Sequence, residues 1–219
     1  MGRVQTNTVR TNTVQIDTVQ INTEGGVALA ELDVVGPAVR FLLVLTHGAG
    51  GSAAAPDLLA ARDAGLRLGG LVARVTQPYR VRGARAPGSP ERQDAAWAEV
   101  VGALRELAPG VPLVQGGRSN GARVACRTAA TVGARAVVAL AFPLRPPQRA
   151  AAPDRGDELR MARAGGARVL VVSGERDPFG IPGTSDADRV VVVPGETHAL
   201  KGHRAIIVAV IAGWLPTVL

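Results

Sequence analysis

The sequence predicts an α/β fold, in which a mostly parallel central sheet is covered by helices on both faces. From Gly25 onward, short apolar runs alternate with alanine-rich segments that carry scattered arginine and glutamate, which is the β-α-β-α pattern of such a sheet. The apolar runs are rich in Val and Leu, as is typical of strands buried on both faces. Hydrophobic residues make up 47% of the 219 residues, which is enough for a full core.

The predicted strands and helices follow one another along the chain. The strands are Val27–Val34, Phe41–Thr46, Leu71–Val75, Pro112–Gly116, Ala136–Ala141, Arg168–Ser173 and Arg189–Val193. The helices are Ala54–Leu68, Pro90–Leu107, Asn120–Val132, Arg155–Ala164 and His203–Leu215. The first two strands are close in sequence and are expected to pair directly. No stretch between these elements is long enough to form a separate lid domain.

The first 24 residues have a different texture, a pentapeptide repeat (TNTVR, TNTVQ, IDTVQ, INTEG) that begins at Thr6. A five-residue period matches neither a strand nor a helix, so it creates no apolar stripe. Four repeats are too few for a solenoid. We therefore expect residues 1–24 to be an extended or poorly ordered N-terminal extension, of which a part could add an edge strand, and residues 25–219 to be a single domain.

Charge and cysteine content narrow the function classes. The formal net charge is +7, but Lys201 is the only lysine, the arginines are scattered, and aromatic residues are only 3% of the chain. These features argue against a nucleic-acid partner; the arginines from Tyr79 to Arg85 could instead bind an anionic substrate. With the single cysteine Cys126, no intrachain disulfide can form. Neither a membrane span nor a secretion signal is evident, so we expect a cytoplasmic protein without a membrane partner.

A possible nucleophile lies in Gly117-Arg118-Ser119-Asn120-Gly121, which follows a predicted strand and precedes a predicted helix. This is G-x-S-x-G in strand–turn–helix context, where small residues permit a strained turn that exposes the serine hydroxyl. The alternative is a glycine-rich helix N-terminus that binds a phosphate or nothing. The context favours Ser119 as a nucleophile.

A nucleophilic serine needs a neighbouring base, and the chain has three histidines. His47 leads into Gly48-Ala49-Gly50-Gly51, a turn suited to presenting backbone N–H groups. His198 lies in the loop after the last strand, where an imidazole can reach back over the sheet edge. His198 is the preferred base, and His203, at the start of the last helix, is the alternative.

The third group should be a carboxylate that orients the histidine. Asp177 follows the strand Arg168–Ser173 in the turn Gly174-Glu175-Arg176-Asp177-Pro178. Glu175 competes for the role, and a turn-capping Asp177 is the structural alternative. The loop after the strand Ala136–Ala141, residues 142–148, contains no carboxylate, which favours Asp177.

The chain order Ser, Asp, His, each beyond a different strand, resembles that of the α/β hydrolase superfamily. The sequence is similar to the small dienelactone-hydrolase-like branch, which includes proteins related to NSL complex subunit 3 and testis-expressed protein 30. The matching segments are Thr46-His47-Gly48-Ala49-Gly50-Gly51, Gln77-Pro78-Tyr79-Arg80, Gly117-Arg118-Ser119-Asn120-Gly121 and Arg176-Asp177-Pro178-Phe179-Gly180. Asn120 departs from the methionine often found after the nucleophile, but only its backbone N–H is needed there.

The resemblance implies an α/β-hydrolase fold without a lid and an oxyanion hole made by the N–H groups of Asn120 and Ala49. We expect a serine hydrolase that acts on a small ester, lactone or thioester, with substrate contacts from Tyr79, Arg80 and Phe142. Because hydrolase folds also host proteins without activity, a binding or scaffold domain is the alternative. No P-loop, dinucleotide fingerprint or zinc motif is present, so no metal or organic cofactor is expected.

Overall fold

A twisted sheet runs through the centre of the molecule. The computed structural model describes residues 5–11, 14–36, 38–147 and 152–219, with side chains from Asp17 onward. Within these residues the sheet has nine strands in the order β1-β2-β3-β5-β4-β6-β7-β8-β9. They are β1 (Gln5–Thr11), β2 (Val14–Thr23), β3 (Gly26–Val34), β4 (Phe41–Thr46), β5 (Gly70–Thr76), β6 (Leu113–Arg118), β7 (Ala136–Leu140), β8 (Arg168–Gly174) and β9 (Arg189–Val193).

The strand order corrects one expectation about pairing. β3 pairs antiparallel with β5, not with β4, and β5 lies between them. The connection from β4 to β5 is a parallel crossover through a helix, which places β5 beside β4 on the side that faces β3. The six strands from β4 to β9 are parallel to one another, so their carboxyl ends lie along one edge of the sheet.

The helices lie on both faces of this sheet, as the sequence predicts. They are α1 (Pro56–Arg67), α2 (Pro78–Val81), α3 (Pro90–Arg105), α4 (Asn120–Thr128), α5 (Gly156–Ala164) and α6 (Arg204–Trp214). The start of α3 shows why the sequence forms a helix there: Pro90 occupies the first turn, and the Ser89 hydroxyl accepts a hydrogen bond from the Arg92 N–H. The predicted α/β class is confirmed.

Two apolar clusters fill the spaces between the sheet and its helices. One contains residues of α3, α4 and α5, with Trp97 at its centre, and Cys126 is buried there. The other contains residues of α1 and α6, including Trp214. Inside the first cluster, the Trp97 indole N–H donates to Gln115 Oε1 at 2.7 Å, so that these buried polar groups are paired.

The repeat segment forms strands. β1 and β2 are an antiparallel pair, and β2 continues into β3 through a tight turn. Val19 and Ile21 are two residues apart, so they point to the same face of β2, and they are 0% and 2% exposed in the cluster with Trp97. The five-residue repeat as a whole does not alternate in steps of two, so it did not predict a buried strand face. The alternation is present only where isoleucine follows valine by two positions, as at Val19 and Ile21.

No helix in the described part of the chain is long and apolar enough to cross a membrane.

Burial of β2 predicts a loss of stability when its apolar side chains are truncated. Ile21→Ala should lower the free energy of unfolding by about 2–4 kcal/mol, because it leaves a cavity against the helices. The neighbouring exposed change Asn22→Ala should cost less than about 0.5 kcal/mol. Urea denaturation of both variants measures the difference, and equal stabilities would contradict the packing of β2 into the core.

Candidate active site

Ser119 occupies a strained turn between β6 and α4. Its backbone has φ 53° and ψ −119°, a region that residues other than glycine rarely adopt. The two glycines of the motif have no room for a side chain: a Cβ at Gly117 would lie 2.6 Å from the Thr46 carbonyl oxygen, and one at Gly121 would lie 2.7 Å from that of His47. The G-x-S-x-G spacing is therefore a packing requirement against the end of β4.

The structure brings the three predicted residues into one hydrogen-bonded chain. His198 Nε2 lies 2.9 Å from Ser119 Oγ, and His198 Nδ1 lies 2.8 Å from Asp177 Oδ2. Because a carboxylate can only accept, Nδ1 carries the proton and the Nε2 lone pair faces the serine hydroxyl. The Asp177 side chain is fully buried, and that of His198 is 19% exposed.

The turn after β8 holds the carboxylate and one side of the imidazole. Asp177 Oδ1 accepts from the Phe179 N–H at 2.9 Å, which leaves Oδ2 for the histidine. The Phe179 ring contacts the His198 ring with a centroid distance of 4.3 Å. Gly174 permits the loop of His198 to approach, since a Cβ there would lie 2.5 Å from the carbonyl oxygens of Glu196 and Thr197. The Phe179 contact was not predicted from sequence.

The other two histidines have different partners. His203 Nδ1 lies 2.9 Å from Glu196 Oε1 at the start of α6. His47 is fully buried, accepts from the Gln77 N–H at Nε2 (3.1 Å) and donates from Nδ1 to the Gly48 carbonyl (2.8 Å). Burial lowers the pKa of His47, and the positive charge of Arg80 lowers it further. His47 is therefore a neutral support of the loop that follows it.

The hydrogen bond from His47 orients the peptide group that joins Gly48 to Ala49. The Gly48 carbonyl accepts from both His47 Nδ1 and the Gly51 N–H (2.9 Å). In a trans peptide the following N–H points the opposite way, so the Ala49 N–H is directed away from His47. The Ala49 carbonyl accepts from Tyr79 Oη at 3.1 Å, which fixes the next peptide as well. A Cβ at Gly48 would lie 3.1 Å from Ser119 Cβ, so this loop adjoins the serine.

Asn120 provides the second backbone N–H of interest. It is the first residue of α4, so its N–H has no carbonyl partner within the helix and lies at the positive end of the helix dipole. The Asn120 side chain donates to Gln93 Oε1 at 2.7 Å, and Gln93 lies on α3. The side chain is thus used to anchor the turn, while the backbone group remains available to an anion.

Of the three residues predicted to contact substrate, one lies in the core of the structure. Phe142 is 0% exposed and packs in the cluster with Trp97, because the chain turns inward at Ala141 (φ 45°), so the prediction that Phe142 contacts substrate is corrected. Tyr79 is 5% exposed, and burial raises its pKa to about 12. Arg80 is half-buried and donates to the Ala84 carbonyl at 3.2 Å. A cavity of about 440 Å³ lies beside α3 and shares Tyr79 and Gln93 with the site.

An ion pair that was not predicted connects the serine turn to α1. Arg118 Nε donates to Asp57 Oδ2 at 2.8 Å, and Arg118 Nη2 donates to the His198 carbonyl at 2.8 Å. Asp57 is fully buried. The one signal in the sequence was an arginine inside the nucleophile motif, at the end of a buried strand, where a charge needs a buried partner.

Comparison with known proteins identifies the family of the chain. A family model described as an alpha/beta hydrolase domain matches residues 39–193. The chain belongs to the α/β hydrolase family. The match covers the serine and aspartate positions and ends before His198. No curated protein sequence matches the chain.

Several solved α/β hydrolase structures have the same fold. XC6422 from Xanthomonas campestris, described as a serine hydrolase without a lid, is 17% identical, with a TM-score of 0.73 over 96% of this chain and 97% of that one. Est1E from Butyrivibrio proteoclasticus is 17% identical, with a TM-score of 0.73 over 91% and 98%. Dienelactone hydrolase from Anabaena variabilis is 15% identical, with a TM-score of 0.73 over 95% and 100%. These structures are similar to this chain in fold.

Within the described residues, no group of three or more histidine, cysteine, aspartate or glutamate side chains is arranged to bind a metal ion.

The buried, neutral His47 predicts a pH-dependent loss of stability. Its pKa is lower in the folded state than in the unfolded state, so below a pH of about 6.5 the unfolded chain gains a proton that the folded chain does not. His47→Gln keeps an acceptor for the Gln77 N–H but cannot titrate. Between about pH 6.5 and 5, the free energy of unfolding should therefore fall less steeply for the His47→Gln variant than for wild type. The two slopes should differ by up to about 1.4 kcal/mol per pH unit. Urea titrations at several pH values measure both slopes, and identical slopes would refute a neutral His47.

Proposed function

We propose that this α/β hydrolase is a serine hydrolase that cleaves a small ester, lactone or thioester through Ser119, His198 and Asp177. The observation that carries the proposal is the continuous hydrogen-bonded chain from Ser119 Oγ through the imidazole to Asp177. The strained serine supports it as well, because a backbone strain of this kind is retained where it serves a site.

In the proposed mechanism, Ser119 Oγ attacks the carbonyl carbon while His198 Nε2 takes its proton. Asp177 keeps the imidazole in the required tautomer and stabilises the imidazolium that forms. His198 then donates the proton to the leaving group, and an ester bond to Ser119 remains. A water molecule, deprotonated by His198, attacks this acyl-enzyme and releases the acid, which restores the serine hydroxyl.

The negative charge that develops on the carbonyl oxygen needs fixed donors. We assign this role to the N–H groups of Ala49 and Asn120, supported by the opposed direction of the Gly48 carbonyl and by the start of α4. Such donors contribute about 10²–10³ in rate each when they are held in place before the reaction. Tyr79 contributes by donating a hydrogen bond to the Ala49 carbonyl, which fixes the loop after β4. We assign Arg80 as the polar group that contacts the substrate beside this loop.

The proposal predicts turnover that depends on Ser119 and Asp177. Wild type should hydrolyse p-nitrophenyl acetate and butyrate, and Ser119→Ala should lower kcat/KM by at least about 10⁴-fold, because no other hydroxyl takes the place of the nucleophile. Asp177→Asn should lower it by about 10³–10⁴-fold through the wrong histidine tautomer. Steady-state kinetics with circular dichroism of each variant makes the measurement.

The matched control is Ser185→Ala, which removes the hydroxyl of an exposed serine between β8 and β9 and should leave kcat/KM within about twofold, as for other surface sites away from the chemistry. A folded Ser119→Ala protein with wild-type turnover would overturn the mechanism. If folded wild type hydrolyses none of the esters tested, the binding-domain alternative takes precedence.

A further inference from the structure

We propose that Arg118 is a positioning residue that holds His198 in line with Ser119, and that Asp57 is present to fix and neutralise that arginine. The inference rests on the proposed function, since it names a further group for the same reaction. Arg118 is the residue directly before the nucleophile, and its guanidinium reaches two other parts of the site.

The contacts of the guanidinium define a clamp between separate loops. Nε binds the Asp57 carboxylate in the first turn of α1, and Nη2 binds the main-chain carbonyl of His198 itself. Nη1 lies on the side of the loop Gly48–Gly51, 3.3 Å from where a Cβ at Gly48 would be. One planar group therefore fixes the distance between the serine turn, the histidine loop and the start of α1, which a lysine with a single ammonium cannot do.

Asp57 explains how a cation can be tolerated beside an imidazole that must become positive. The carboxylate is fully buried, and it also accepts from the Leu58 N–H at 2.9 Å. Burial raises the pKa of Asp57, and the Arg118 charge opposes that shift. The pair carries no net charge, so it can orient His198 without repelling the imidazolium.

The histidine loop is held from its other end by Glu196. That carboxylate accepts from the N–H groups of Lys201 (3.2 Å) and Gly202 (2.5 Å), which closes the loop toward α6. The loop is thus attached at Glu196 and at Arg118. Through its hydrogen bond to the His198 carbonyl, Arg118 fixes the position of the imidazole relative to the sheet edge. A displacement of about 1 Å there is enough to cost about 10²-fold in rate.

Two variants test the clamp, and a third is the matched control. Asp57→Asn/Arg118→Met removes both charges together and so leaves no unpaired buried carboxylate, and Arg118→Lys keeps the charge but not the geometry. The control Arg123→Met/Glu158→Gln removes another partly buried arginine–carboxylate pair, between α4 and α5. Each protein is checked for folding by thermal denaturation. The readouts are kcat and KM for p-nitrophenyl acetate, and the low-field proton resonance of His198 Nδ1–H.

The clamp predicts a loss of about 30–100-fold in kcat for the Asp57/Arg118 double variant, with KM within about threefold and a weakened resonance. Arg118→Lys should lose less, about 3–10-fold, and the control should match wild type in both readouts. An unchanged resonance with kcat within about threefold of wild type in the double variant would overturn the proposal, as would an equal loss in the control. Wild type without Ser119-dependent turnover would refute the proposed function, while the resonance, measured without substrate, would still decide the clamp.

Discussion

The close approach of the serine turn to the end of β4 is the constraint on which the site depends. Gly117 and Gly121 pack directly on the carbonyl oxygens of Thr46 and His47, at distances that exclude any Cβ. This contact accompanies the strained conformation of Ser119 and places the start of α4 beside the loop after β4. Parallel pairing of β4 with β6 keeps both loops at the same sheet edge.

Buried polar groups around this contact form hydrogen bonds with one another. His47 links the Gln77 N–H to the Gly48 carbonyl, Tyr79 holds the Ala49 carbonyl, and Arg118 joins Asp57 to the His198 carbonyl. Each link connects loops that follow different strands. Because an unpaired group at these depths would cost about 1–3 kcal/mol, the network fixes the loops as well as satisfying them.

Much of the fold was predictable because apolar runs bounded by glycine- and proline-rich turns indicate buried strands directly. The observed bounds of β4 and β9 coincide with the predicted ones, and the serine, aspartate and histidine singled out by chain order lie within hydrogen-bond distance of one another. Those positions are local signals: each follows a strand, in a turn rich in glycine or proline.

What could not be predicted depends on contacts between distant residues. The pairing of β3 with β5 follows from the direction of the crossover after β4, which no pattern within β3 reveals. Asp57 and Arg118 are 61 residues apart, and the sequence near either residue gives no sign that the two form an ion pair. Phe142, which was expected to contact substrate, lies instead in the core after the backbone turn at Ala141, and no local pattern reveals this turn. β2 was hidden by its five-residue repeat.

The central claim is that the imidazole of His198 activates Ser119. Its most direct test is labelling with a fluorophosphonate probe, mapped by mass spectrometry, in wild type beside the folded His198→Ala variant. We predict a label on Ser119 in wild type and labelling slowed by at least about 10²-fold in the variant, since an isolated serine hydroxyl is a weak nucleophile. Wild-type Ser119 that remains unlabelled, or equal rates in the two proteins, would contradict the account.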